Sequence, residues 1–233
     1  MGLFGSKAYN RNELFRRGDQ FRSRGRNKKA IKEFEKILAV DPKDIDVHAK
    51  LAPLYQKVGR TAEAKTSLNL VTDEYHRKGF EEKEIAVLKI ILKVDTHDLK
   101  TYFQLVNLYI QKGLKSDALS TLGDGRRAFR KKKFLKEAIA IERRILTIEP
   151  EDLRAQVLLV KHLWKSGENK EASERLLSME SQWASRRNRK NWRKTRWLLF
   201  RHSHSLSAFL GYLSTFLSTP SPYKPQERKR FLH

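Results

Sequence analysis

The chain has 233 residues, of which a third are charged, with a net charge of +23 and no cysteine. The absence of cysteine excludes disulfides, thiolate metal sites and cysteine nucleophiles. Positive charge gathers at the ends: residues 184–233 hold twelve Lys and Arg against Glu227 alone, residues 1–29 hold nine against two acids, and the middle is nearly balanced. Such ends favour an acidic partner (nucleic acid, anionic membrane or an acidic protein surface) or are simply solvated.

The first ten residues lack the apolar run of a secretory signal, so a cytoplasmic protein is expected, with peripheral membrane attachment as the alternative. The opening Met-Gly-Leu-Phe-Gly-Ser loosely fits an acylation pattern at Gly2, although a frayed end, or Leu3 and Phe4 packing on the first helix, is the plainer expectation. Residues 13–23 and 28–40 read as a helical hairpin. Ala30, Ile31, Phe34, Ile37 and Leu38 form one apolar face, Arg24 to Asn27 make the turn, and Asp41-Pro42 stops the second helix. Leu14, Gly18, Phe21, Ala30, Phe34, Ile37 and Pro42 stand at the spacings of the tetratricopeptide (TPR) repeat, and residues 11–44 resemble that family. Small Gly18 and Ala30 would let the helices approach, with Phe21 and Phe34 filling the space beside them.

From Asp44 onward the chain repeats itself at a fixed step, the one that carries Asp44 to Asp98 and then to Asp152. The same step relates Leu51, Leu105 and Leu159; Gly59, Gly113 and Gly167; Ala64, Ala118 and Ala172; and Leu68, Leu122 and Leu176. An aromatic set runs Phe21, Tyr75, Phe129, Trp183, and isoleucines recur at 31, 85, 139 and at 37, 91, 145. Each unit predicts three helices, with Asp44 as an N-cap. One is a single helix, at 81–94 and again at 135–148. The helix over 61–78 either belongs to one hairpin or is shared by two, and both registers stay open. Gly123 and Gly125 fall inside a predicted helix, which points to a kink.

These features imply an all-α fold: a TPR-like right-handed helical solenoid of about ten antiparallel helices, of the bacterial type with a 54-residue period. The expected organisation is an extension over 1–10, the repeats over 11–183 and a basic tail over 184–233. After Trp183 the apolar pattern is lost, because Asn188 and Arg193 stand at expected apolar places. An apolar stripe at Leu206, Phe209, Leu210, Leu213, Phe216 and Leu217 follows. Three readings fit this tail: a helix capping the repeats, an out-of-frame sequence, or a segment that docks on an anionic membrane or nucleic acid. The stripe is too short to span a bilayer.

No catalytic constellation is found, and the chain reads as a non-enzyme without cofactor or metal. His202 and His204 point apart on a helix, while His48, His76, His97 and His162 read as surface residues. Glu142 stands at the core position of Phe34 and Leu88 and is expected to reach an arginine on its own helix or a neighbour. Two basic patches stand out: Arg126, Arg127, Arg130, Lys131, Lys132 and Lys133 at a helix end, and Arg186, Arg187, Arg189, Lys190, Arg193 and Lys194 in the tail. The TPR resemblance implies a protein-binding scaffold or adaptor whose groove-facing positions are Lys50, Lys57, Gln104, Asn107, Gln111, Lys161 and Lys165. The family's carboxylate-clamp pattern is absent, since Phe15, Asp19 and Pro53 occupy its places. Cationic and amide groups there predict an acidic or polar extended segment of a partner protein. The alternative is nucleic-acid or membrane binding through the basic ends, and no small-molecule substrate is expected.

Overall fold

A computed structural model describes residues 9–185 and 189–203, excluding the side chains of Arg189, Leu199, His202 and Ser203. Eleven α-helices and one short 3-10 turn make up the regular structure of these residues, so the all-α expectation holds. The Gly2 pattern, Arg186, Arg187, His204 and the stripe from Leu206 lie outside them. The chain divides into two compact units, Met1–Thr121 and Leu122–His233.

In the first unit α1 (Arg11–Ser23) and α2 (Asn27–Leu38) form the opening hairpin. The two helices approach closely at Gly18, where an added Cβ would stand 2.7 Å from Cε1 of the fully buried Phe34. The next helices are α3 (Ile45–Lys57), α4 (Thr61–Arg77), α5 (Glu81–Val94) and α6 (Leu99–Gln111). α4 packs against both α3 and α5, so the shared-helix register is the one adopted. His48 corrects an expectation: it is buried, not on the surface. Its Nδ1 lies 3.1 Å from Ser67 Oγ and its Nε2 lies 3.0 Å from the Pro42 carbonyl oxygen, which satisfies both ring nitrogens.

The sequence repeat recurs in the backbone. Asp44, Asp98 and Asp152 each cap a helix by accepting a hydrogen bond from an amide of its first turn. Gly59, Gly113 and Gly167 all take positive φ, where glycine carries no Cβ penalty. Behind each, the same closing bond forms: the amides of Arg60, Leu114 and Glu168 donate to the carbonyls of Tyr55, Tyr109 and Leu163.

The second unit holds the end of α7 (Lys115–Ala128), then α8 (Leu135–Ile148), α9 (Leu153–Ser166), α10 (Asn169–Ser185) and α11 (Arg189–Ser203). α7 runs through Gly123 and Gly125 without interruption, so the departure expected at these glycines appears at the helix end instead. Carried forward one repeat, the last residue of α4, Arg77, falls on Lys131, yet α7 already stops at Ala128. The cause is local. Gly79 ends α4 with φ of +68° while the Phe80 amide donates to the Tyr75 carbonyl. Lys133 stands at the matching place, and the Phe134 amide turns instead to Lys131 through a 3-10 turn over Lys132–Phe134.

α11 packs on α10, and its first residue, Arg189, follows Leu135 of α8 by the same step that separates Leu135 from Glu81 of α5. The repeat therefore continues beyond Trp183, contrary to the expectation that it stops there, and 183 falls inside α10. Periodicity hid this copy because an ion pair replaces apolar contact. In the second copy Arg126 donates to buried Glu142; one step on, Glu180 is the acid and Arg196 the base, 3.0 Å apart. The pair has exchanged its signs. Trp192 Nε1 also donates to Glu180 Oε1 at 2.5 Å, and Trp192, Thr195 and Leu198 are buried. These contacts are those of a helix covering the preceding repeat.

One ion pair also predicts an acid response. Asp44 accepts from Arg11 Nε at 2.5 Å and Nη2 at 2.9 Å, which holds its carboxyl below the usual aspartate range. A depressed folded pKa adds stability above the unfolded value, near 3.8, and loses it as pH falls through the folded one. Asn caps helices as well as Asp does, so Asp44→Asn removes the charge and keeps the cap. Urea midpoints measured from about pH 5 to about pH 3 should fall less steeply in Asp44→Asn than in the parent chain.

Candidate partner-binding cleft

The positions expected to face a groove are not equivalent. In the first unit Lys50 lies 3.6 Å from Asp19 and 5.8 Å from the Phe15 ring centroid, so its charge is matched within the fold. Lys57, Asn107 and Gln111 are exposed and Gln104 is half-buried. Pro53 interrupts the donor ladder on the exposed side of α3.

In the second unit the sequence-predicted pair meets. Lys161 and Lys165, one turn apart on α9, line an open cleft of about 730 Å³ together with Trp164, Asn169 and Ser173 of α10 and Arg201 of α11. The α9–α10 turn at Gly167 sets the two faces against each other. The charged groups in the lining are all cations, with no carboxylate among the described residues. Lys161, Lys165 and Arg201 form no ion pair among the described residues. Trp164, Asn169, Ser173 and Arg201 were not predicted. The i, i+3 spacing of Lys161 and Trp164 and the i, i+4 spacing of Asn169 and Ser173 carried the signal, but only the packing of α11 brings Arg201 to them.

The basic patches divide as well. Arg126 is committed to Glu142, Arg127 pairs with Asp124, and Lys133 lies over the Phe134 ring at 4.7 Å. Lys190 and Lys194 are exposed on α11 and Arg193 is half-buried. Arg130, Lys131 and Lys132 line a second cavity of about 350 Å³ with Lys165 and half-buried His162. Burial, then Lys165, Arg126 and Lys161, push the His162 pKa below its usual value. Among the described residues no group of three or more His, Asp or Glu could hold a metal ion, and no helix is long and apolar enough to cross a membrane.

Residues 18–59, spanning the Gly18–Phe34 contact, α2, α3 and the turn at Gly59, match the TPR repeat family model. Over these residues the chain is similar to the TPR repeat family. TPR proteins generally mediate protein–protein interaction. No curated protein matches the chain. Among solved structures, the chain is similar to a putative kinesin light chain with nearly identical TPR-like repeats from Podosopora anserina. That match has 17% identity and a TM-score of 0.36, covering 71% of this chain and 90% of that one. It is also similar to a thermophilic TPR protein of Thermus thermophilus, at 21% identity and TM-score 0.27, with 66% and 100% covered. A third is YrrB, described as a TPR protein with an unusual peptide-binding site, at 12% identity and TM-score 0.32, with 70% and 90% covered.

Proposed function

We propose that this protein is an interaction scaffold that holds an acidic or polar extended segment of a partner protein in the cleft between α9, α10 and α11. The observation that carries the reading is the cleft's one-signed lining: Lys161, Lys165 and Arg201 converge with no carboxylate among the described lining residues. Trp164 offers an amphipathic face for apolar side chains of the same segment, while Asn169 and Ser173 supply hydrogen bonds to its backbone. In the first unit Asp19 already answers Lys50, so that face draws acids less strongly.

The test is fluorescence anisotropy with a labelled Glu- and Asp-rich peptide and its Lys-rich counterpart. The acidic peptide should bind and the basic one should not. Reversing charge at Lys161 and Arg201 together should weaken binding about tenfold or more. Equal binding of both peptides, or an unchanged affinity in the double variant, would sink the reading. Duplex DNA binding the parent chain far more tightly than the peptide, with a steep log–log salt slope, would favour the basic ends and nucleic acid instead.

A further inference from the structure

The second cavity stands out when the same positions are compared one repeat earlier. There, Arg77 and Lys78 are answered by Glu74, His76 lies 3.2 Å from Glu84 Oε2, and Lys112 reaches Glu81 and Glu82. Each of these basic groups thus faces a carboxylate. In the next copy Glu74 becomes Ala128, Glu81 becomes Leu135, Glu82 becomes Lys136 and Glu84 becomes Ala138. The basic run His76, Arg77 and Lys78 persists as Arg130, Lys131 and Lys132, Lys112 gives way to Ser166, and two groups are added: His162 in place of Leu108 and Lys165 in place of Gln111. Loss of Gly79 also lengthens the connection from residues 78–80 to residues 129–134, which opens the cavity.

What remains is a pocket with an apolar floor of Phe129, Leu135 and Ala138 and a rim of Arg130, Lys131, Lys132 and Lys165. None of these four cations pairs with an acid among the described residues. His162 lines the same space, and its solvent-shielded Nδ1 has no hydrogen-bond partner. Phe129 is held edge-on to Phe134, ring centroids 5.5 Å apart. A volume of about 350 Å³ lies at the small end of the range for small-molecule sites. Four uncompensated cations favour a dianion over a carboxylate, and the arginine fork suits phosphate oxygens. The apolar floor asks for a hydrocarbon body behind the anion.

We propose that this pocket binds a phosphate monoester carried on a small apolar or aromatic body. The phosphate sits among Arg130, Lys131, Lys132 and Lys165, and the body rests on Phe129 and Leu135. The ester is either a free small molecule or a phosphorylated side chain of a partner.

Calorimetric titration of the full chain at low salt tests this with phenyl phosphate, inorganic phosphate, benzoate and a short phosphotyrosyl peptide. Phenyl phosphate should bind about tenfold or more tighter than either benzoate or inorganic phosphate. Arg130→Gln with Lys132→Gln should weaken it by a similar factor while leaving acidic-peptide binding in the neighbouring cleft unchanged. These residues lie on an exposed connection, so the variants fold. A phosphopeptide that binds as tightly as phenyl phosphate assigns the ester to a partner; one that binds much more weakly assigns it to a free molecule. No binding of phenyl phosphate up to about 10 mM, equal binding of benzoate, or indifference to the double variant overturns the proposal. Loss of acidic-peptide binding with phenyl phosphate binding intact would instead remove only the cleft reading.

Discussion

Truncating Glu142 to alanine is expected to destabilise the second unit by about 3–5 kcal/mol. Glu142 is fully buried and accepts two hydrogen bonds from Arg126, at 2.8 Å to Oε1 and 2.5 Å to Oε2. Removing the acid strands a mostly buried guanidinium, and that uncompensated charge is the main cost. One repeat earlier the same two places hold Leu88 and Thr72, whose hydroxyl donates to the Leu68 carbonyl, an uncharged solution to the same packing problem. Glu142→Leu with Arg126→Met should therefore recover most of the loss, because replacing a whole buried pair by hydrophobes of similar volume is often neutral or stabilising. All four tryptophans lie beyond residue 121, so urea unfolding followed by tryptophan fluorescence reports on this unit alone. A loss below about 1 kcal/mol for Glu142→Ala would show that water, not Arg126, compensates the acid.

Phe34→Ala is expected to cost the first unit about 3–5 kcal/mol. Phe34 is fully buried, lies edge-on to Phe15 at 5.5 Å, and presses its ring on Gly18. The mirror experiment is Gly18→Ala. Helix propensity alone would favour alanine by about 1 kcal/mol. The added methyl, however, would meet Phe34 Cε1 at 2.7 Å and Cζ at 2.8 Å, and overpacking of that kind costs about 1–3 kcal/mol. Gly18→Ala should thus be net neutral to destabilising in the parent and stabilising in a Phe34→Leu background. Thermal melts followed by circular dichroism would measure both, and a stabilising Gly18→Ala in the parent would deny the close approach.

Much of this fold is legible as periodicity. The Asp caps, the positive-φ glycines and the fully buried Ala64, Ala118 and Ala172 recur from copy to copy because each repeat must solve the same backbone problem. Where the solution changes chemistry, the pattern breaks. Arg196 stands where Phe34 and Leu88 stand, so α11 reads as a loss of the repeat until Glu180 is seen opposite it. Glu142 is expected from sequence to reach an arginine on its own helix or a neighbour, and the structure selects the neighbour, Arg126, sixteen residues upstream. Lys161 and Lys165 are named from the TPR resemblance, whereas Arg201 joins them only through tertiary packing. The second cavity left a subtler trace: carboxylates at 74, 81 and 84 vanish one step later while the basic residues beside them remain.

The most direct test of the scaffold reading is photo-crosslinking. An acidic peptide carrying a single photoreactive residue would be irradiated with the full chain and its adducts mapped by mass spectrometry. Adducts should concentrate on α9 to α11, around Lys161, Trp164, Asn169 and Arg201, and disappear when excess unlabelled acidic peptide is present. Adducts confined to the first unit, around Lys57 or Gln104, would contradict the account.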